Sequence, residues 1–471
     1  WDASGQIPQR AIDTGRIDRF GAIDPLEGGG TGRQNLNVTF RAHGRNNSDY
    51  TSRVYASWYD FKLFSNFTLF LEHPVEGDMI EQVDDRTLFG LDNTYRLYHE
   101  IAGVLAQSTF GGGLRADNVE VALWHAPDRL RHTALVDSRV AERNAYLWLQ
   151  EEIFLGPQLR LVLGLRGDYF TFNVDDRLEG IPGQLPHASG VAQDEVLSPK
   201  AGLIYSPTTA VDLFLNAGSG FHSNDARAVV IDRRASLIAR QMRANGATTE
   251  AIDEALIARH IEPDHLGAGL LPRAIGAEVG LRTRLGQRLN LGVACWWLQM
   301  AEEFVYVGDG GATEPSGRTR RLGIDVEART QLLSWIWADV DATLSRGELT
   351  DAPAAANDIP LAPRFTSEGG LTTRHASGLE ASLRYRFIGD RPANEEDTVT
   401  AQGHFLLNAD IGYRLDHWRL QGSVENILDT EWNEAQFDTE SRLPGEHESV
   451  SELHFTPGNP LGVRLGLSYL F

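Results

Sequence analysis

The sequence predicts an all-β protein: an antiparallel transmembrane β-barrel built from about seventeen strands. Three observations carry this. The first is the end of the chain, where Leu461, Val463, Leu465, Leu467, Tyr469 and Phe471 alternate with Gly462, Arg464, Gly466 and Ser468. That two-residue period describes a strand with one oily and one wet face, ending on its apolar edge, which lipid can cover and water cannot. The second is the recurrence of such segments along the chain, several with ionic groups in the middle of the polar face. The third is a regular alternation of tight turns with long connections.

Strand-like segments are expected at about 32–44, 49–63, 78–97, 99–112, 138–155, 158–173, 195–207, 210–221, 274–286, 288–305, 318–332, 335–348, 364–375, 378–389, 402–415, 417–428 and 460–471. In one, Leu161, Leu163, Leu165 and Tyr169 oppose Arg166 and Asp168. In another, Leu383, Tyr385 and Phe387 oppose Ser382, Arg384 and Arg386. In a third, Phe405, Leu407, Ala409, Ile411 and Tyr413 oppose Asn408, Asp410 and Arg414. Ionic side chains at mid-strand suit a water-filled lumen and not a dry sandwich core. Tight turns are expected at 156–158, 207–209, 285–287, 375–378 and 415–417, and long connections at 113–137, 174–194, 222–273, 306–317, 349–363, 390–401 and 429–459. Short turns at one end and long loops at the other match the periplasmic and extracellular ends of an outer-membrane barrel.

One long connection breaks the all-β pattern. The stretch Ala235–Arg243 reads as a helix stopped by Gly246, and Thr249–Arg259 reads as a second, capped by Thr248 or Thr249 and ended by Pro263. Together they form a helical hairpin in the extracellular loop 222–273. Aromatic residues near strand ends, among them Trp58, Tyr95, Tyr146, Trp148, Trp418 and Tyr469, suggest interfacial girdles.

Bulk composition is compatible with this fold and excludes others. The 471 residues have a mean hydropathy of -0.29, and no apolar run reaches the about 18 residues a spanning helix needs. A formal net charge of -22 leaves no basic nucleic-acid footprint. Lysine occurs only at Lys62 and Lys200, so arginine carries nearly all positive charge. Cys295 is the single cysteine, which excludes an internal disulfide and a thiolate-rich metal centre.

The final strand should end in the periplasm. Counting back through seventeen strands, the first should run inward from outside, so 1–31 is expected to be part of an extracellular loop. Because a native bacterial single-chain barrel has an even strand number, an odd count implies strands ahead of residue 1. The strands 32–44 and 460–471 are then the free edges, lying apart or meeting only across a strained or parallel seam.

Several segments resemble the C-terminal portion of the TonB-dependent outer-membrane receptors: Leu197–Pro207, Leu213–Arg227, Arg320–Ala328, Val424–Trp432 and the terminal Phe471. The stretch Asn426–Trp432 resembles that family's turn before the last long loop. Leu467, Tyr469 and Phe471 resemble the signal read by the outer-membrane assembly machinery. The resemblance implies a Gram-negative outer-membrane location and part of a 22-strand barrel, with the N-terminal plug and TonB-contact segment absent from this sequence. It also implies contact with lipid and lipopolysaccharide, energy coupling through TonB in the full-length parent, and uptake of a scarce nutrient, by default an iron–siderophore-type ligand. No cofactor, nucleic-acid partner or enzymatic activity is implied.

Ligand capture should use external loops and the upper barrel. The candidate residues are His222, Asn224, Asp225 and Arg227, a polar cluster at an external strand end, with Tyr306 in the glycine-rich loop 306–314. The competing reading of the cluster is that its members bond one another and hold the rim. Asp309 and Glu314 lack an EF-hand pattern, and His99, His222, His404, His447 and His454 show no metal spacing, so no metal is expected. Gly218-Ser219-Gly220 lacks the elbow of a hydrolase nucleophile. A passive channel and a barrel hydrolase are the alternatives to a receptor.

Overall fold

A computed structural model describes the chain except residues 46, 179–188, 259–268, 287, 302–303, 308–311, 316 and 470–471; for 304–307 and 312–315 it describes the backbone alone. Seventeen strands of the described residues form one antiparallel sheet that curls into a barrel wall. In chain order the first eight are β1 (Gly28–His43), β2 (Asp49–Ser65), β3 (Ile80–Ile101), β4 (Val104–His125), β5 (Thr133–Phe154), β6 (Leu159–Asp176), β7 (Gly190–Thr208) and β8 (Val211–Phe221). Then come β9 (Arg273–Leu285), β10 (Leu289–Met300), β11 (Thr319–Leu333), β12 (Ile336–Leu349), β13 (Phe365–Arg374), β14 (Leu379–Ile388), β15 (His404–Leu415), β16 (Trp418–Glu425) and β17 (Gly462–Tyr469).

Each strand pairs with the next in sequence. The connections after odd-numbered strands are two to five residues long, and those after even-numbered strands are seven or longer. All short turns therefore lie at one end of the wall and all long connections at the other. Between β1 and β17 no paired register exists among the described residues, although the sheet as a whole curls into a barrel. Sixteen antiparallel steps leave these two strands pointing the same way, so direct closure would need a parallel seam.

The faces divide as the alternation predicts. On β5 and β6, Leu147, Leu149, Leu163 and Leu165 are exposed on the outside, with Leu147 at 75%. On β17, Leu465 is 83% exposed and faces outward with Ile411 and Gly422, while Gly466 lies on the inward face opposite Gln421. Such surfaces would be unstable in water and are satisfied by lipid.

The wall is uneven in height. β3, β4 and β5 each have 22 residues, roughly 70 Å along the strand and far more than an apolar band about 25 Å tall requires even at a 45° tilt. The expected loop 113–137 is accordingly corrected: only 126–132 is a connection. Above the membrane both faces of a strand meet water, so the alternation vanishes while the ladder continues, fastened by pairs such as Arg139 on Glu120 at 2.9 Å. A second correction concerns the aromatics. Tyr146 and Trp148 lie on the inward face, opposite to Leu147 and Leu149, and belong to no lipid girdle.

β13–β17 are short, with 8 to 12 residues. Above them the connection 426–461 folds into its own hairpin, 433–441 with 450–457. The predicted turn at Asn426–Trp432 has a specific construction. Asn426 adopts a left-handed conformation (φ 51°), and its buried amide accepts from Thr430 N at 2.9 Å and donates to Thr430 O at 2.9 Å and Asn459 O at 3.2 Å. Residues 1–27 lie at this same end. Ile7–Pro8 adds a third strand to the hairpin, and Gln9–Asp13 forms a one-turn helix, α1.

Candidate functional site

The inward face of β2–β6 carries a belt of ionic side chains, built by strand geometry. Residues two apart on a strand share a face, so Arg115 and Asp117, and likewise Arg166 and Asp168, turn to the lumen together and pair. Arg115 Nε donates to Asp117 Oδ2 at 2.7 Å; Arg166 meets Asp168 through two bonds of 2.7 Å. Across the strands, one inward rung runs Arg53, Asp92, Gly113, Tyr146, Asp168, Val196. Arg53 Nε donates to Asp92 Oδ2 at 3.0 Å, and the Tyr146 hydroxyl donates to the other oxygen of Asp92.

Tyr146 reaches Asp92 by lying across Gly113. A Cβ at residue 113 would stand 2.5 Å from the Tyr146 hydroxyl oxygen and 2.4 Å from Leu91 O, so only glycine permits this bridge. One rung away Tyr55 crosses Gly90 in the same manner. The Arg166 guanidinium lies 4.1 Å from the Tyr146 ring centre, and that of Arg53 lies 5.1 Å from Tyr55, a favourable placement of a cation on an aromatic face.

The belt has a consistent polarity. The arginine side chains 53, 115 and 166 are 42–50% exposed, whereas Asp92, Asp117 and Asp168 are 22%, 8% and 0% exposed. Carboxylates sit against the wall and fix the guanidiniums, which present their remaining N–H groups to the lumen. The surface offered to an incoming molecule is one of fixed donors, suited to anionic oxygen.

A roof stands over this belt. Further up β6 and β7 the inward residues become apolar: Phe170, Phe172, Val174, Ala192 and Val196 are buried. Against them packs helix α2 (Ala226–Ala244) through Ala226, Val229 and Val230, with Leu271. Helix α3 (Thr249–Ile257) closes on α2, burying Ala235 and Ala239 against Ile252 and Leu256. The expected helical hairpin exists, and α2 begins nine residues earlier than Ala235 because Asp225 caps it, accepting from Arg227 N at 2.9 Å and Ala228 N at 3.2 Å. Gly246 follows its end at φ 82°, the left-handed position glycine tolerates.

The sequence-level site residues occupy the base of this roof. Asp225 is the helix cap and pairs with the buried Arg227 at 3.2 Å. Buried Asn224 donates to Gly269 O at 2.9 Å. His222 is exposed, and its backbone N–H donates to Pro272 O at 3.0 Å. Neighbouring Ser223 donates to Glu142 on the belt at 3.3 Å. Asn224, Asp225 and Arg227 thus anchor α2, and His222 alone of the four faces solvent. Tyr306 has its backbone in a short hairpin, 304–307 with 312–315, and its side chain lies outside the described residues, as do Asp309 and Phe471. Leu467 and Tyr469 are on the outer face of β17, where Tyr469 packs edge-on against Trp418 at 4.9 Å.

The belt itself was not singled out as a site from sequence. The legible signal was the Arg-x-Asp spacing at 115–117 and 166–168, two ions on one face of a strand. Arg53 and Asp92, which meet on β2 and β3, are 39 residues apart, and Tyr146 is 54 from Asp92.

Comparison with known proteins agrees with this architecture. Residues 3–427 match the family described as TonB dependent receptor-like, beta-barrel. The metal-pseudopaline receptor CntO of Pseudomonas aeruginosa (strain UCBPP-PA14) is 22% identical over 331 residues, covering 64% of this chain and 39% of its own. The crystal structure of the unliganded ferric citrate transporter FecA superposes with a TM-score of 0.71 at 13% identity, covering 98% of this chain and 64% of that one. The ferric-catecholate import receptor Fiu of E. coli K12, in its closed form, gives a TM-score of 0.70 at 13% identity over 99% of this chain and 70% of that one. The chain thus spans well under half of the curated relative and somewhat under two thirds of FecA. It belongs to the TonB-dependent receptor-like β-barrel family of the bacterial outer membrane, a family of transporters rather than enzymes.

Proposed function

We propose that this barrel forms the wall of a receptor importing a small anionic metal chelate of the iron–siderophore type, with uptake by the whole protein energised through TonB. The observation that carries this is the belt of Arg53, Arg115 and Arg166, held by carboxylates at the wall and roofed by α2. Guanidiniums fixed in this way discriminate for oxygen anions arranged around a compact core, the chemistry such chelates present. His222, exposed at the base of α2, is positioned to contribute a further polar contact at the entrance.

The test is uptake of labelled ferric chelates, anionic and neutral, by iron-limited cells carrying the full-length protein that contains this barrel. Arg53→Ala and Arg166→Ala should each weaken binding of the anionic chelate at least about tenfold, since a lost charge-assisted hydrogen bond is worth roughly 1.5–3 kcal/mol; surface yield of each variant controls for folding. Equal uptake of neutral and anionic chelates, insensitive to both substitutions, would overturn the reading. Uptake that persists after the proton-motive force is collapsed would point instead to a passive channel.

A further inference from the structure

At the upper end of the wall, two long connections meet beside β2–β5 and bring three histidines and a glutamate together. One donor atom from each of Glu76, His125 and His132 lies within 4.8 Å of the other two. His132 Nδ1 stands 3.6 Å from Glu76 Oε2. The His73 ring stacks on His125 at 3.9 Å, and His132 meets His125 edge-on at 5.9 Å.

The cluster is built and not incidental. His125 is buried, and its Nε2 lies 2.8 Å from Gly77 O. A carbonyl only accepts, so Nε2 carries a proton, and in the neutral ring Nδ1 is the nitrogen left with a lone pair. That is the tautomer a metal ligand needs, fixed by an outer hydrogen bond. Asp78 holds the other connection, accepting from His73 N at 2.7 Å, Glu72 N at 3.0 Å and Thr68 Oγ1 at 2.8 Å. Its Oδ1 is also 3.2 Å from His73 Nδ1, so a carboxylate orients this ring too. Arg131, adjacent in sequence, turns to Glu81 at 2.5 Å and 3.0 Å, a carboxylate it shares with Lys62 at 3.3 Å.

We propose that Glu76, His125 and His132 bind one divalent transition-metal ion of the zinc type, linking connections 66–79 and 126–132. Two imidazoles and one carboxylate form a borderline donor set, poorly matched to Ca²⁺ or Mg²⁺, which take oxygen. Tetrahedral zinc with bonds near 2.05 Å holds its donors about 3.3 Å apart, so binding would draw the three donors in from the 4.8 Å within which they lie, with Glu76 and His132 at exposed positions where their side chains can turn. The fourth position falls to water. This site is separate from the guanidinium belt and does not depend on the reading given to it.

The experiment is a calorimetric titration of the purified chain in detergent micelles, after chelator treatment, with Zn²⁺ alone and with Ca²⁺ alone. One Zn²⁺ per chain is expected. The variants Glu76→Gln and His132→Ala, both at exposed positions without core packing, should each weaken it at least tenfold, and X-ray absorption at the zinc edge should report two imidazoles. No binding, a loss smaller than tenfold in either variant, or Ca²⁺ binding as tight as Zn²⁺ would each overturn the assignment.

Discussion

Tyr146 touches Asp92 because residue 113 has no side chain. Replacing Gly113 with valine should push the ring off Asp92 and leave a carboxylate with one partner fewer, at a cost of roughly 1–3 kcal/mol for overpacking. The expected outcome is a lower temperature for the heat-induced shift in gel mobility, together with weakened binding of an anionic chelate. A variant indistinguishable from wild type in both would remove Tyr146 from the site. On β17 the two faces set opposite outcomes for one charge. Leu465→Arg exposes a guanidinium to lipid and should cost roughly 2–4 kcal/mol if the position is near the bilayer midplane. Gly466→Arg points into the lumen beside Gln421 and should be milder. Folding yields into bilayers measure the difference, and equal losses would contradict the faces.

Strands and loops divide the work. β2–β6 supply the belt, α2 roofs it, and the segment 1–27 fastens the far side by docking on the hairpin of 426–461. Arg10 is the centre of that dock: its guanidinium bonds Glu446 at 2.8 Å, pairs with Glu452 and donates to Ser441 O at 3.0 Å. Beside it His454 is fully buried, with Nε2 2.9 Å from Ser441 Oγ. Burial, and then the charge of Arg10, push the His454 imidazole down to about 4, and the bond from Arg10 holds Glu446 below the usual carboxylate range. A histidine with a lowered folded pKa contributes stability that is complete above about 6.5 and lost as pH falls toward 4; the lowered carboxylate acts in the same direction at the acid end. Glu27, at the foot of the segment, is raised to about 8 by burial, so its ionisation opposes folding as pH rises from about 4.5 to 8. Between pH 6.5 and 4.5 the His454 and Glu27 titrations oppose one another, so the protection factors of Ile7–Arg10, corrected for the intrinsic exchange rate, should stay nearly level there and fall below about pH 4.5. His454→Phe should leave the Glu27 effect unopposed, so that protection rises as pH falls from 6.5 to 4.5; a variant whose protection stays level would assign the pH response elsewhere.

Taken entire, the molecule is one sheet curled into a barrel. β1 and β17 have no partner for each other among the described residues, and the dock of 1–27 bridges their external ends. Unpaired ladders recruit other strands, so this chain in detergent should associate through its edges, and the amides of β1 beyond Gly29, which Trp1 holds, should exchange within seconds where they face away from β2. A monodisperse monomer with those amides protected would mean that the edges are covered.

The barrel was legible because lipid imposes a two-residue period that survives in a single sequence: all seventeen strands were anticipated, and Leu465, Leu163 and Ile411 face outward as the period requires. The tight turns and the helical hairpin were legible for local reasons, through turn residues, caps and a helix-period stretch. Strand ends above the membrane were not, because a ladder bathed by water on both sides leaves no alternation to read. Nor were the belt and the histidine cluster. Arg53 and Asp92 are 39 residues apart, and His73 and His125 are separated by 52. Local chemistry decided which face each side chain takes; the register between neighbouring strands decided which side chains meet, because it is set along the full length of each paired ladder and is written in no single segment.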